Sequence, residues 1–174
     1  MTLLTVGHGT ASQAELTALL HGAGVRLLVD VRTAPGSRRH PHVARAALAE
    51  WLPAARIDYR WEKDLGGFRR PRPDSPDVVW QEPMFRGYAA WTREEPFRAA
   101  LDRVLAAGDG TVVMCSEAVW WRCHRRLIAD VAVLLHDIRV LHLMHDGRSP
   151  PHRPTAGARV TPGGLVYDDG ALPL

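Results

Sequence analysis

Lysine is nearly absent from this chain. Lys63 is the only one, so 21 of the 22 basic residues are arginines. A GC-rich genome explains such a bias. Arginine is nonetheless the better side chain for planar, two-point contact with phosphate or carboxylate, so the information lies in where the arginines cluster. Cysteine is scarce too. Cys115 and Cys123 alone do not make a disulfide scaffold in 174 residues, and free thiols in a reducing compartment are the expectation. Long apolar runs are missing: none approaches the roughly 18 residues of a membrane span, and the longest, Ile128 to Leu135, is interrupted by Asp130. The N-terminal residues Met1 to Val6 lack the basic segment of a signal peptide and read straight into a strand, so the cytoplasm is the expected address. Internal repeats and low-complexity segments are also lacking. The net charge of +3 is too small to make non-specific duplex binding the main task.

What is present is an alternation of strands and helices. Short apolar strands are expected at Leu3 to Val6, Arg26 to Val31, Asp58 to Trp61, Thr111 to Met114 and Arg139 to Leu143. Helices are expected after Ser12, which forms a capping-box pattern with Glu15, and over Val43 to Leu52, Phe85 to Trp91 and Glu95 to Ala107. Trp120 to Leu135 gives the best helical stripe, through Trp120, Cys123, Leu127, Ile128, Val131, Leu134 and Leu135. Arg159 to Tyr167 reads as a hairpin around Gly163-Gly164. The pattern predicts a three-layer α/β/α fold with a mostly parallel sheet of about five strands, plus a small C-terminal β-hairpin. Residues 1–146 form the α/β domain carrying the site, and 147–174 an extension packed on it. Phe68 to Pro83, with four prolines and three arginines, is a long loop expected to help exclude water from a site.

In parallel α/β sheets ligands bind beyond the carboxyl ends of the strands. His8 follows the first strand, Asp30 and Arg32 end the second, Gly66 and Gly67 follow the third, and Cys115 with Glu117 follows the fourth. A cysteine between a strand end and a helix meets backbone N–H groups and a positive dipole, and both favour thiolate; Arg122 and Arg125 lie nearby. Cys115 therefore reads either as a nucleophile or as packing that completes a strand. Cys123, on the apolar stripe, reads as core filler, a resolving thiol or a metal ligand. Arg32, Ser37 and Arg38 suit an anion, and Asp30 suits either orienting an arginine or holding a ribose hydroxyl. Gly66 and Gly67 allow close backbone approach, while Trp61, Phe68, Trp80, Tyr88 and Trp91 offer rings for a base or for the core. His8 is placed as a general base or a donor that orients a ligand. If a metal is bound, its ligands would be Cys115, Cys123, His124 and His8, although the spacing fits no common zinc motif.

Seven segments in order carry a resemblance: Val6 to Thr10, Val29 to Arg32, Pro35 to Arg38, Leu65 to Gly67, Phe85 to Ala89, Cys115 to Glu117 and Cys123 to Arg125, with Pro151 to Thr155 and Ala158-Arg159 in the tail. Together they resemble the family catalogued as domain of unknown function 488. That resemblance implies an α/β fold and supplies no reaction. A looser resemblance, through Leu27 to Arg32 and the later strand ending in cysteine, is to rhodanese-like domains, which carry a persulfide or perform phosphatase-type chemistry at that cysteine. The loop after Cys115 has no arginine or glycine before Arg122, and Trp121 holds the arginine place of a Cys-x5-Arg loop.

Three functions follow. The first is an enzyme, a cysteine-dependent transferase or hydrolase, acting on a small anionic substrate containing phosphate or sulfur. Cys115, Glu117 and His8 would be its catalytic groups, and Asp30, Arg32, Ser37, Arg38, Gly66, Gly67, Tyr88 and Arg125 its binding groups, with no cofactor. The second is a nucleotide- or nucleic-acid-binding protein in which Cys115 is structural. The third is a metal-binding protein.

Overall fold

The computed structural model describes residues 1–170. Five strands, β1 (Thr2–Gly7), β2 (Leu27–Asp30), β3 (Asp58–Trp61), β4 (Thr111–Cys115) and β5 (Arg139–Leu143), form one all-parallel sheet in the order β3-β2-β4-β1-β5. Successive side chains of a strand point to opposite faces, and the sequence supplies apolar residues for both. Leu4, Val6, Leu28, Val112 and Met114 pack against Leu16 and Leu20 of α1 (Gln13–Gly22) and Leu48 and Leu52 of α2 (Arg45–Ala54). Leu3, Val29, Val31, Val113 and Cys115 pack on the other face, with Tyr88 of α3 (Pro83–Trp91), Leu101 of α4 (Glu95–Leu105) and Ile128 of α5 (Arg125–His136). Continuous apolar strands thus produce the three-layer α/β arrangement. Ser12 and Glu15 form the reciprocal capping box that starts α1.

The hairpin consists of β6 (Ala158–Thr161) and β7 (Gly164–Tyr167), paired antiparallel. Leu165 and Tyr167 are buried in the same core as α5. The Asp130 carboxylate of α5 ties this segment down by accepting from Tyr167 Oη at 3.0 Å, His152 Nε2 at 2.8 Å, and the Thr155 amide and hydroxyl at 2.8 and 2.7 Å. Positions 171–174 of the expected C-terminal extension lie outside the described residues.

Two expectations need correction. The helix expected over Trp120 to Leu135 is broken. Trp120–Arg122 is a single 3-10 turn, Cys123 is extended (φ −128°, ψ 149°), and α5 begins only at Arg125. The apolar stripe is continuous in sequence because Trp120 stacks on His142, with ring centroids 4.2 Å apart, while Cys123 fills core from a non-helical backbone. Nor does the segment from Phe68 to Pro83 close over a site. Asp77, fully buried, pairs with Arg93 at 2.7 Å and accepts from the Tyr167 amide at 3.1 Å, and Trp80 packs on Phe85 and Tyr167. The loop is anchored on the hairpin, and only Phe68 reaches the pocket described next.

Candidate active site at the strand ends

The register of three adjacent strands sets the site. Asp30 of β2 pairs with Met114 of β4, and Gly7 of β1 pairs with Cys115. The ladder runs one residue further: the Val31 amide donates to Met114 O at 2.9 Å and the His8 amide to Cys115 O at 3.0 Å. Chain segments distant in sequence therefore leave the sheet side by side. Above them lies a cavity of about 420 Å³ lined by His8, Arg32, Ser37, Gly67, Cys115 and Glu117, with Phe68, Met84, Arg122, Cys123 and His124 also on its walls. That volume suits a small organic ligand.

Arg32 is fixed before any ligand arrives. Its Nε and Nη2 donate to Asp30 at 2.8 and 2.6 Å, Nη2 also to Val43 O at 2.8 Å, and Nη1 reaches His8 Nε2 at 3.4 Å. These contacts use four of the five guanidinium N–H groups, and the fifth, on Nη1, remains for an anion. His8 Nδ1 lies 3.0 Å from Gly9 O. A carbonyl only accepts, so the proton is on Nδ1 and Nε2 presents a lone pair. Burial lowers the His8 pKa to about 4, against the bond to Gly9, and the ring is neutral at physiological pH.

Cys115 ends β4 with its sulfur buried. Arg125 Nη1 donates to Sγ at 2.8 Å and to Glu117 O at 2.7 Å, and Nη2 donates to Ala118 O at 3.0 Å. Arg125 is 1% exposed, and no carboxylate among the described residues pairs with it. A buried cation needs a counter-charge, and the Cys115 sulfur is the group in contact with it; the same sulfur lies 3.7 Å from Glu117 O. Burial alone opposes ionisation of this thiol. It is outweighed by the neighbouring Cys123 side chain, by the Arg125 charge and by the backbone at Glu117, so the Cys115 pKa lies below its usual value. Cys123 moves the other way, pushed well up by burial and by the neighbouring Cys115 side chain. Gly7 makes the arrangement possible: a Cβ there would lie 1.6 Å from Glu117 O and 2.5 Å from Arg125 Nη1.

At the mouth, Phe68 is 79% exposed and holds a left-handed backbone (φ 60°). That conformation is unfavourable for a bulky residue, and it keeps the ring beside the opening rather than in the core.

The family model for the domain of unknown function DUF488 matches residues 12–132. The chain belongs to the DUF488 family. No curated protein and no solved structure matches it. The DUF488 match takes in Arg32, Cys115, Glu117, Cys123 and Arg125, and leaves out His8, Val6 to Thr10 and the tail segments that carried part of the resemblance.

Not every residue expected at the site lines it. Asp30 is fully buried and serves as the clamp on Arg32, also accepting from Tyr59 Oη at 2.9 Å. Arg38 is exposed and lies outside the pocket lining, because its loop turns at Ser37, whose Oγ accepts from the His40 amide at 2.9 Å. Gly66 is packed against Thr33, where a Cβ would meet Oγ1 at 2.7 Å, while Gly67 is the glycine on the wall. Tyr88 is buried beneath the site, donating to Leu65 O at 2.6 Å. Arg125 lies behind Cys115 rather than on the pocket surface.

The rings divide likewise. Trp61 donates to Arg32 O, Trp91 lies under the Arg69 guanidinium, Trp80 and Tyr88 are buried, and Phe68 alone of the five faces the pocket. Nor do Cys115, Cys123, His124 and His8 form a ligand set. No group of three or more His, Cys, Asp or Glu among the described residues is placed to hold a metal. His124 Nε2 is committed to Val31 O at 3.0 Å and His8 Nδ1 to Gly9 O.

The helix start expected directly behind Cys115 is displaced: the turn at Trp120–Arg122 and the extended Cys123 intervene before α5 begins at Arg125. Sequence reasoning missed Met84 and the role of Gly7. Among the described residues, no helix is long and apolar enough to cross a membrane.

Proposed function

We propose that this protein is an enzyme that uses Cys115 as a nucleophile on a small anionic substrate containing phosphate or sulfur, as a transferase or hydrolase. The observation that carries this reading is the buried Arg125 guanidinium, 2.8 Å from the sulfur of Cys115, which lines the pocket, and without a carboxylate partner among the described residues. The thiolate attacks the phosphorus or sulfur atom and the leaving group departs with the bonding electrons. The free N–H of Arg32 and the Arg122 side chain on the wall hold the anionic oxygens. Neutral His8 suits the second half of the reaction. Its contact with Arg32 is long, at 3.4 Å, so an incoming water or acceptor hydroxyl can take its place and give a proton to Nε2 as it releases the group from sulfur. Phe68 and Met84 at the mouth suit an apolar or planar part of the substrate.

The test is the rate of Cys115 carboxamidomethylation against pH, read by peptide mass mapping. Cys115 is expected to react faster than Cys123 near neutral pH, and inorganic phosphate or thiosulfate to slow it. Equal, sluggish alkylation of both thiols with no anion protection overturns the reading.

A second reading, nucleotide or nucleic-acid binding with Cys115 structural, is favoured by exposed Phe68 and Trp121 together with exposed Arg38, Arg39, Arg70, Arg72 and Arg122. It requires that Cys115→Ser bind a short single-stranded oligonucleotide as wild type does, with affinity falling steeply in salt.

A further inference from the structure

Cys115 does not stand alone. The helical stripe breaks at Cys123, and the extended backbone there places this residue on the wall of the same cavity. Both cysteines are free thiols and both line this cavity. Each has its own polar support. Cys115 has the Arg125 guanidinium, and Cys123 has a histidine ring. Cys123 Sγ lies 3.6 Å from His124 Nδ1. His124 Nε2 is bonded to Val31 O at 3.0 Å, so its proton is there and Nδ1 offers a lone pair to the Cys123 thiol. Cysteines that only fill a core need no guanidinium or imidazole at their sulfurs.

We propose that Cys115 and Cys123 form a redox-active dithiol that reduces small anionic organic disulfides in this pocket. The proposal rests on the reading of Cys115 as a reactive thiolate and names a substrate class and a second thiol for it. The Cys115 thiolate attacks one sulfur of R–S–S–R, forming a mixed disulfide and expelling R–S⁻. Cys123 then gives its proton to His124 Nδ1 and attacks the Cys115 sulfur of that mixed disulfide. The second R–S⁻ leaves and takes the proton. The substrate gains two electrons and becomes two thiols, while the protein loses two and holds a Cys115–Cys123 disulfide. A dithiol reductant returns the protein to its starting state. Arg32 and Arg122 favour a disulfide bearing carboxylates.

The experiment uses the full reduced chain and oxidised glutathione, followed by intact mass and by alkylation of remaining thiols. Wild type is expected to lose two hydrogens and carry no glutathione. Cys123→Ser should accumulate one glutathione on Cys115, and Cys115→Ser should react at neither position on the same timescale. His124→Gln keeps a donor for Val31 O but removes the base. It should slow resolution of the mixed disulfide by about a hundredfold, far more than it slows its formation. Wild type that stops at the Cys115 adduct, with Cys123 still alkylatable, overturns the dithiol and leaves the reactive Cys115 standing. Failure of Cys115 to react in wild type and in Cys123→Ser alike removes both.

Discussion

Replacing Arg125 with methionine keeps a long apolar stem and deletes the buried charge. The guanidinium makes three bonds, to Cys115 Sγ at 2.8 Å, Glu117 O at 2.7 Å and Ala118 O at 3.0 Å, and its Nε has no partner. Two carbonyls lose their donor, at about 1–3 kcal/mol each. Relief from burying the charge offsets part of this, so the expected net loss of stability is about 2–4 kcal/mol. The thiolate loses a charge-assisted bond of about 1.5–3 kcal/mol, which reduces its population at neutral pH by roughly ten- to a hundredfold. A more basic thiolate is also more nucleophilic, recovering about half of that on a logarithmic scale. Alkylation of Cys115 should then slow by roughly three- to tenfold. The assay pairs urea unfolding with the iodoacetamide rate measured well below the unfolding midpoint. A cooperatively folded Arg125→Met variant whose Cys115 reacts at the wild-type rate refutes the idea that this guanidinium holds the thiolate.

Three more outcomes follow from the same contacts. Asp30→Asn leaves Arg32, 7% exposed, without its buried counter-charge, and should cost about 3–5 kcal/mol in urea unfolding; an unchanged midpoint contradicts the clamp. Gly7→Ala sets a Cβ against Glu117 O, so the loop after Cys115 must move, and anion protection of Cys115 should be lost even where the variant still melts cooperatively. Acid should destabilise the fold before the carboxylates titrate. His8 and His124 have pKa values held near 4 and His142 near 3 by burial, against 6.5 for the free residue. The unfolded chain binds protons that the folded one refuses, so this stability is complete above pH 6.5 and is lost as pH falls toward 4. The slope is up to about 1.4 kcal/mol per pH unit for each histidine; unfolding midpoints unchanged between pH 7 and pH 5 would contradict neutral buried rings.

The sheet was legible because parallel strands buried on both faces need continuous apolar runs, and few other elements demand Leu27-Leu28-Val29 or Thr111 to Met114. The site's rim was legible for the same reason: His8, Arg32 and Cys115 follow those runs directly, and the register brings them together. What sequence could not settle was direction. Arg32 and Arg38 look alike on one strand-end loop, yet only Arg32 has a buried aspartate two residues away to hold it inward. Arg125 was expected on the pocket surface, but it turns beneath Cys115 because Gly7 leaves room for it and for Glu117 O. The Cys123 break was hidden because its stripe of apolar residues satisfies a helix as well as it does the turn that puts both cysteines on one pocket.

The account stands on Cys115 being ionised in the folded protein. Ultraviolet thiolate absorbance, titrated with pH for wild type and subtracted for Cys115→Ser, measures this without any substrate. A step below the ordinary cysteine range that disappears in Cys115→Ser is the predicted result. A difference curve that is flat until alkaline pH would mean that Arg125 is buried against a neutral thiol, and the proposed chemistry would have no nucleophile.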